Sequence, residues 1–265
     1  NGLAVLAHDS QAVAVFALYV WAYRRYGLRF PEKPATRSRP CYFAAGSLVL
    51  AIAFGPQIDG LADASFAWHM VQHMAIAFIA PPLLLLGAPL LYVLGALPAR
   101  HARAISRALH SEPLRTLFAP VPAWLLFVAT LWVSHFSPLY NAALNNGGVH
   151  VGEHALYFGT GLLFWSVVVQ TGIVVHQVAF PARMLYVFLA IPQGAFLGLA
   201  LYQTRSVLYA HYAAGYSVAQ VLVDQHNAGA LMWIGGGMLF FTAFMLTAAT
   251  WAARDSDERL GLVTE

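Results

Sequence analysis

The sequence predicts an all-α membrane protein of seven transmembrane helices, with its N-terminus outside and its C-terminus inside. Three observations carry that prediction. Of 265 residues, 60% are hydrophobic and only 9% are charged, whereas about a quarter of an ordinary soluble domain is charged. Asp, Glu, Lys and Arg are missing from long runs, among them 40–58, 64–99, 116–152, 154–182 and 225–253, and roughly 20 apolar residues suffice to cross a bilayer. Every Lys and Arg except Arg205 then falls on one side of a seven-span layout, the asymmetry expected of cytoplasmic loops.

The first span, 10–26, leads into a loop holding Arg24, Arg25, Arg29, Lys33, Arg37 and Arg39. The second covers 39–57, and its Cys41 reads as a core residue. The third, 65–86, contains Pro81-Pro82. Proline lacks an N–H and clashes with the preceding turn, so a kink or stop is expected there. The segment Ala99 to Leu114 carries Arg100, Arg103, Arg107 and His110 at helical spacing and predicts an amphipathic helix on the inner surface. The fourth, fifth, sixth and seventh spans cover 116–136, 148–172, 182–203 and 221–253. Gly235-Gly236-Gly237 in the last marks close packing or a bend. Barrel strands would alternate with period two, and no such alternation occurs.

These counts exclude several classes. With 17 Phe, 12 Tyr and 7 Trp the chain is not disordered. A single Cys excludes a disulfide scaffold. A net charge of +3, spent on topology, gives no nucleic-acid surface. The expectation is one polytopic domain over 1–265, surrounded by membrane lipids.

The chemistry lies in the 11 histidines. In this layout His8, His69, His73, His135, His150, His154, His211 and His226 fall in the outer half or outer loops. Ionisable groups within a bilayer are expensive, so a cluster at one depth needs a cause. From the span starts, His69 and His73 lie about 6 and 12 Å below the outer edge, His150 and His154 about 4 and 9 Å, and Asp224 and His226 about 5 and 8 Å. Each histidine pair is spaced i,i+4, so both rings leave one helical face. Two such imidazoles can hold one metal ion, and imidazole suits Cu, Zn, Fe and Ni. The candidate ligands are therefore His69, His73, His150, His154 and His226, with Glu153 and Asp224 as ligands or as groups orienting the histidines, and His135 at the rim. Taken singly, an intramembrane His more often makes a polar contact between helices. Met70 and Met74 read as packing. His150-Val-Gly-Glu-His154 also spells H-x-x-E-H, a zinc hydrolase pattern that needs a third ligand and a cleft.

Three blocks carry a family resemblance. Trp68-His69-Met70-Val71-Gln72-His73-Met74 is followed by Ala80-Pro81-Pro82. His135-Phe136-Ser137-Pro138-Leu139-Tyr140 is followed by His150 and Glu153-His154. Asp224-Gln225-His226-Asn227-Ala228-Gly229 is followed by Met232-Trp233-Ile234. In order and spacing they resemble the CtaG family of caa-type cytochrome c oxidase assembly factors. The resemblance implies a seven-span protein of a prokaryotic plasma membrane that delivers copper to haem–copper oxidase subunits of the respiratory chain. It implies no enzymatic activity, and metal-site residues His69, His73, His150, His154 and Asp224, with His135 at the rim. His226 is a departure, since the resemblance leads one to expect Gln there. Two alternatives stay open: an intramembrane di-metal or zinc enzyme using zinc or iron, and a haem-binding subunit with axial histidines.

Neutral imidazole is the ligating form, so metal binding is expected to weaken as pH falls towards about 6. A binding isotherm unchanged between about pH 8 and about pH 5 would rule out histidine ligation.

Overall fold

A computed structural model describes residues 2–33, 36–136 and 138–259, with side chains from residue 14 onward. Ser137 and the His8 side chain lie outside the described residues. Among these residues every regular element is a helix. The helices are α1 (Gly2–Arg29), α2 (Arg39–Ala53), α3 (Pro56–Ala64), α4 (Phe66–Leu86), α5 (Pro89–Ala96), α6 (Ala99–Leu109), α7 (Glu112–Leu117), α8 (Pro120–Phe136), α9 (Pro138–Asn145), α10 (Gly147–Val168), α11 (Phe180–Gln203) and α12 (Val218–Arg259).

By length and apolarity α4, α11 and α12 can cross a membrane, and the number rises to five if each of the bent pairs α2–α3 and α8–α9 is one span. The two further expected spans fall on α1 and α10, of 28 and 22 residues. Glu153, His150 and His154 dilute the apolar character of α10, and these are the residues of interest. The expected surface helix is present as α6, which buries none of its residues.

Water does not drive helices together inside a bilayer, so packing and polar contacts must. Small residues supply the close approaches. A side chain at Gly198 of α11 would meet the Trp233 nitrogen at 2.5 Å and the Gly229 oxygen at 2.6 Å, so α11 and α12 cross there backbone to backbone. Gly161 of α10 packs likewise on Ala77 of α4, and Gly46 of α2 on Leu84. Among these helices Phe78, Phe127, Phe164, Trp165 and Phe240 form one aromatic core. A second, smaller core joins α1, α2 and α5 through Tyr19, Phe43 and Tyr92.

The helix does not stop at Pro81-Pro82. It widens into a π-helical turn over Ala75–Ile79 and then continues to Leu86. Pro81 cannot donate to the Ala77 carbonyl, and the indole N–H of Trp165 donates to it instead, at 3.0 Å. The break comes later, at Ala88, whose φ of 49° is left-handed. From there α5 packs on α1, and its last carbonyls accept from Arg25 and Arg29. These two arginines therefore cap a helix. Gly235 and Gly236 belong to a second π-turn, Leu231–Gly236, with Gly237 just after it; this turn lies against the first, Gly235 facing Met74 and Gly236 facing Phe78. Cys41 is not core but exposed, because α2 turns Phe43 and Gly46 inward instead.

Trp165→Phe is expected to leave the Ala77 carbonyl unsatisfied and cost about 1–3 kcal/mol, seen as a lower unfolding midpoint in detergent. Trp124→Phe is the control, since the Trp124 indole N–H has no partner to lose. Equal midpoints for the two variants would dismiss the carbonyl argument.

Candidate metal centre

The site begins with the start of α4. Ser65 is its N-cap, its hydroxyl accepting from the Trp68 N–H at 3.3 Å. That hydroxyl donates to Asp224 Oδ1 at 2.7 Å, and the Phe66 N–H donates to Asp224 Oδ2 at 2.6 Å. A carboxylate at a helix N-terminus satisfies free N–H groups and favours the helix dipole. Asp224 thus ties α12 to the first turn of α4, one turn above His69.

The next two residues bind the loop that follows α11. Gln225 accepts from the Leu208 N–H and donates to the Ser206 carbonyl. His226 Nε2 donates to the Thr204 carbonyl at 3.0 Å. Asp224 and His226 are accordingly not brought to the other candidate ligands. Their spacing and depth agreed with a third arm, but Asp224 is committed to the Ser65 hydroxyl and the Phe66 N–H, and His226 to the Thr204 carbonyl.

The remaining ligand candidates meet. His69 and His73 on α4 face His150, Glu153 and His154 on α10. The rings of His69 and His150 are 5.3 Å apart between centroids, as are those of His73 and His154. His69 Nε2 and His73 Nε2 lie 3.0 Å apart, and Glu153 Oε2 is 4.0 Å from His73 Nε2. Two three-ligand groupings result, both containing His69: His69 with His150 and His154, and His69 with His73 and Glu153. Within each, one donor atom per residue lies within 4.8 Å of the others. His150 is only half-buried; the other four are buried.

Among the described residues, protein groups do not satisfy this cluster. His73 Nδ1, His150 Nε2, His154 Nε2 and both Glu153 oxygens are buried without a hydrogen-bond partner. Each such atom costs about 1–3 kcal/mol of desolvation. Two imidazole lone pairs also cannot face each other at 3.0 Å without a proton or cation between them. A proton meets the His69–His73 contact, but the unpartnered atoms remain, and a cation held by these donors would meet them, so the donor set fits a metal ion.

A layer of tyrosines surrounds the imidazoles. The Tyr212 hydroxyl is 2.9 Å from His69 Nδ1 and 3.4 Å from the Tyr140 hydroxyl. Burial raises the Tyr212 phenol well above its ordinary range, so it stays protonated. With Tyr212 accepting from Nδ1–H, His69 presents its Nε2 lone pair inward. Tyr157 packs on the His73 ring, 4.2 Å between centroids, and hydrogen-bonds Ser134.

His135 sits beside this layer. Its Nδ1 lies 2.7 Å from the Leu131 carbonyl and its Nε2 3.2 Å from the Met70 sulfur. Met70, read from the sequence as packing, is therefore in polar contact. The tyrosines were not picked out either. Tyr209 and Tyr212 beside His211, in a polar loop between apolar helices, were the signal available.

A family model for the cytochrome c oxidase caa3 assembly factor (Caa3_CtaG) matches residues 17–254, a range containing the whole cluster. The chain is similar to uncharacterized proteins of Mycobacterium bovis and Mycobacterium tuberculosis, each 25% identical over 244 residues, covering 88% of this chain and 36% of the relative. An uncharacterized protein of Mycobacterium leprae is 24% identical over 220 residues, 79% of this chain and 33% of that protein. The chain thus spans about a third of the length of these curated relatives. No solved structure matches it.

Asp224→Ala is expected to cost about 0.5–2 kcal/mol through the lost helix cap, while metal stoichiometry stays as in the parent. A variant that folds with unchanged stability but loses metal would make Asp224 a ligand instead.

Proposed function

The chain belongs to the cytochrome c oxidase caa3 assembly factors, and from that premise we propose that it binds copper in the His69–His73–His150–Glu153–His154 cluster and passes it to a haem–copper oxidase. An assembly factor is not an enzyme class, and copper is here a cargo. The observation that carries the reading is the set of five unpartnered buried donor atoms in one cluster. Imidazole is a good copper ligand and carboxylate a weaker one, so the donors favour capture without a thiolate trap. Cys41, on α2, is not among them.

Loading and release need a way in. His150 is the half-buried member and stands in the first turn of α10, so we take it as the first contact for an arriving ion. His73 and Glu153 form the inner grouping, with His69 common to both. An ion moving between the groupings keeps His69 throughout. Tyr212 fixes the tautomer that allows this, and His135 with Met70 lies alongside.

The finer layout belongs to the same proposal. We read the helices as seven crossings of a prokaryotic plasma membrane, with the cluster near the outer face and the arginine-rich ends inside. The distribution of Lys and Arg supports that orientation. Partners are subunits of a haem–copper oxidase, which the family description makes plausible. The hydrolase alternative finds a third histidine in His69, but with four of the five groups buried there is little room for a polypeptide substrate.

Metal analysis of the detergent-purified protein by mass spectrometry, with an optical spectrum of the same sample, tests the reading. The expected result is substoichiometric to stoichiometric copper, restored by copper loading, absent from His69→Ala/His73→Ala, and without a Soret band. Tightly held zinc or iron would shift the assignment to a metalloenzyme, and a Soret band to a haem subunit. No metal after loading would return the histidines to a purely structural role.

A further inference from the structure

A second polar constellation lies outside the metal cluster, around the first turn of α11. The Arg183 guanidinium sits over the Phe180 ring at 4.2 Å from its centroid, and that of Arg254, from the last turns of α12, lies at 5.2 Å from the same centroid. Two cations thus share one aromatic ring. Arg183 is oriented by donating from Nε to the Val178 carbonyl at 2.6 Å, which leaves its terminal nitrogens available.

Among the described residues no carboxylate pairs with either arginine. The nearest acid in sequence to Arg254, Asp255, pairs with Arg259 at 2.8 Å. The first turn of α11, which carries Phe180 and Arg183, has no side-chain cap, so its free N–H groups add positive potential at the same place. Like charges held together without a counter-charge are unfavourable unless an anion joins them.

Below the arginines runs a groove of about 240 Å³ between α4, α10, α11 and α12, whose walls include Trp165, Val168 and Leu246. Leu246 is two turns along α12 from Arg254, about 12 Å. The depth suits a hydrocarbon chain and the mouth suits a phosphodiester. A basic mouth over an apolar groove between membrane helices is the arrangement that recognises a charged lipid.

We infer that Arg183, Arg254 and Phe180 form a binding site for one anionic phospholipid. The headgroup phosphate accepts from both guanidiniums, and one acyl chain lies in the groove over Trp165 and Leu246. Arginine forks match phosphate oxygens in pairs, which separates this site from nonspecific lipid contact elsewhere on the bundle. The site is independent of the metal centre.

The test is native mass spectrometry of the detergent-solubilised protein, titrated with phosphatidylglycerol or phosphatidylcholine of the same chain length. The expected result is one saturable phosphatidylglycerol adduct, weakened on the order of tenfold in Arg254→Gln and further in Arg183→Gln/Arg254→Gln, from the loss of one and two phosphate-facing cations. Arg254 is exposed on the end of α12, so the single variant does not disturb the core; the unfolding midpoint of each variant in detergent reports separately on the intact fold. Equal adducts with both lipids, an adduct unchanged in Arg254→Gln, or competition by millimolar inorganic phosphate as effective as by lipid would overturn the assignment.

Discussion

The depth at which the histidines sit is decided by where α4 begins, and α4 begins where Asp224 holds it. The carboxylate takes the Ser65 hydroxyl and the Phe66 N–H, groups that a helix starting in an apolar setting cannot leave free. Because Asp224 is on α12, the same contact fixes the height of two helices against each other. His69 and His73 then follow at four and eight residues from Ser65, both on the face towards α10. The loop after α11 is latched by the neighbouring Gln225 and His226, and that loop delivers Tyr212 to His69. One three-residue stretch of α12 thereby orders a cluster to which it contributes no donor.

Several buried polar groups of the interior are met by another group close by. The carbonyl abandoned by Pro81 is met by Trp165. Gln72 donates to the Ala53 carbonyl. The chain ends of α5 are met by Arg25 and Arg29. Unpartnered atoms also occur singly on Gln72, Tyr92, Trp124, Trp132 and Tyr186, whereas those of His73, His150, Glu153 and His154 come together. They are concentrated where four imidazoles and one carboxylate converge, and their convergence is what a cation would require.

Much of this was legible in the sequence because two periodicities are strong. Long charge-free runs predicted membrane helices; α4 and α11 lie within one turn of the expected limits, and α12 runs six residues past its expected end. The i,i+4 pairs predicted that His69 with His73, and His150 with His154, would share faces, and the two faces meet. What sequence could not supply was the rotation of α12 about its own axis. Asp224 and His226 have the right depth, but depth is a distance along the axis and says nothing about azimuth. The same limit hid Met70, which meets His135 from a different face of α4. Tyr212 was hidden for another reason: its loop has no periodicity from which a position can be read. Proline chemistry misled in one respect, since Pro81-Pro82 removes donors without ending the helix when a π-turn and an indole absorb the loss.

The paired π-turns at Ala75–Ile79 and Leu231–Gly236 bear on how this chain tolerates length changes. A deletion inside an ordinary helix turns everything beyond it by about 100°, which here would pull the Gly198–Gly229 crossing or the Trp165 contact out of register. A π-turn already holds one residue more than the α-helix around it needs. Removing a residue there tightens the turn and leaves both flanks facing as before. Gene variants one codon shorter at either turn can therefore preserve the bundle, and a related chain without the widening would align with a single-residue gap in the middle of a membrane helix. Such a gap reads as a sequencing or alignment error until the backbone is known.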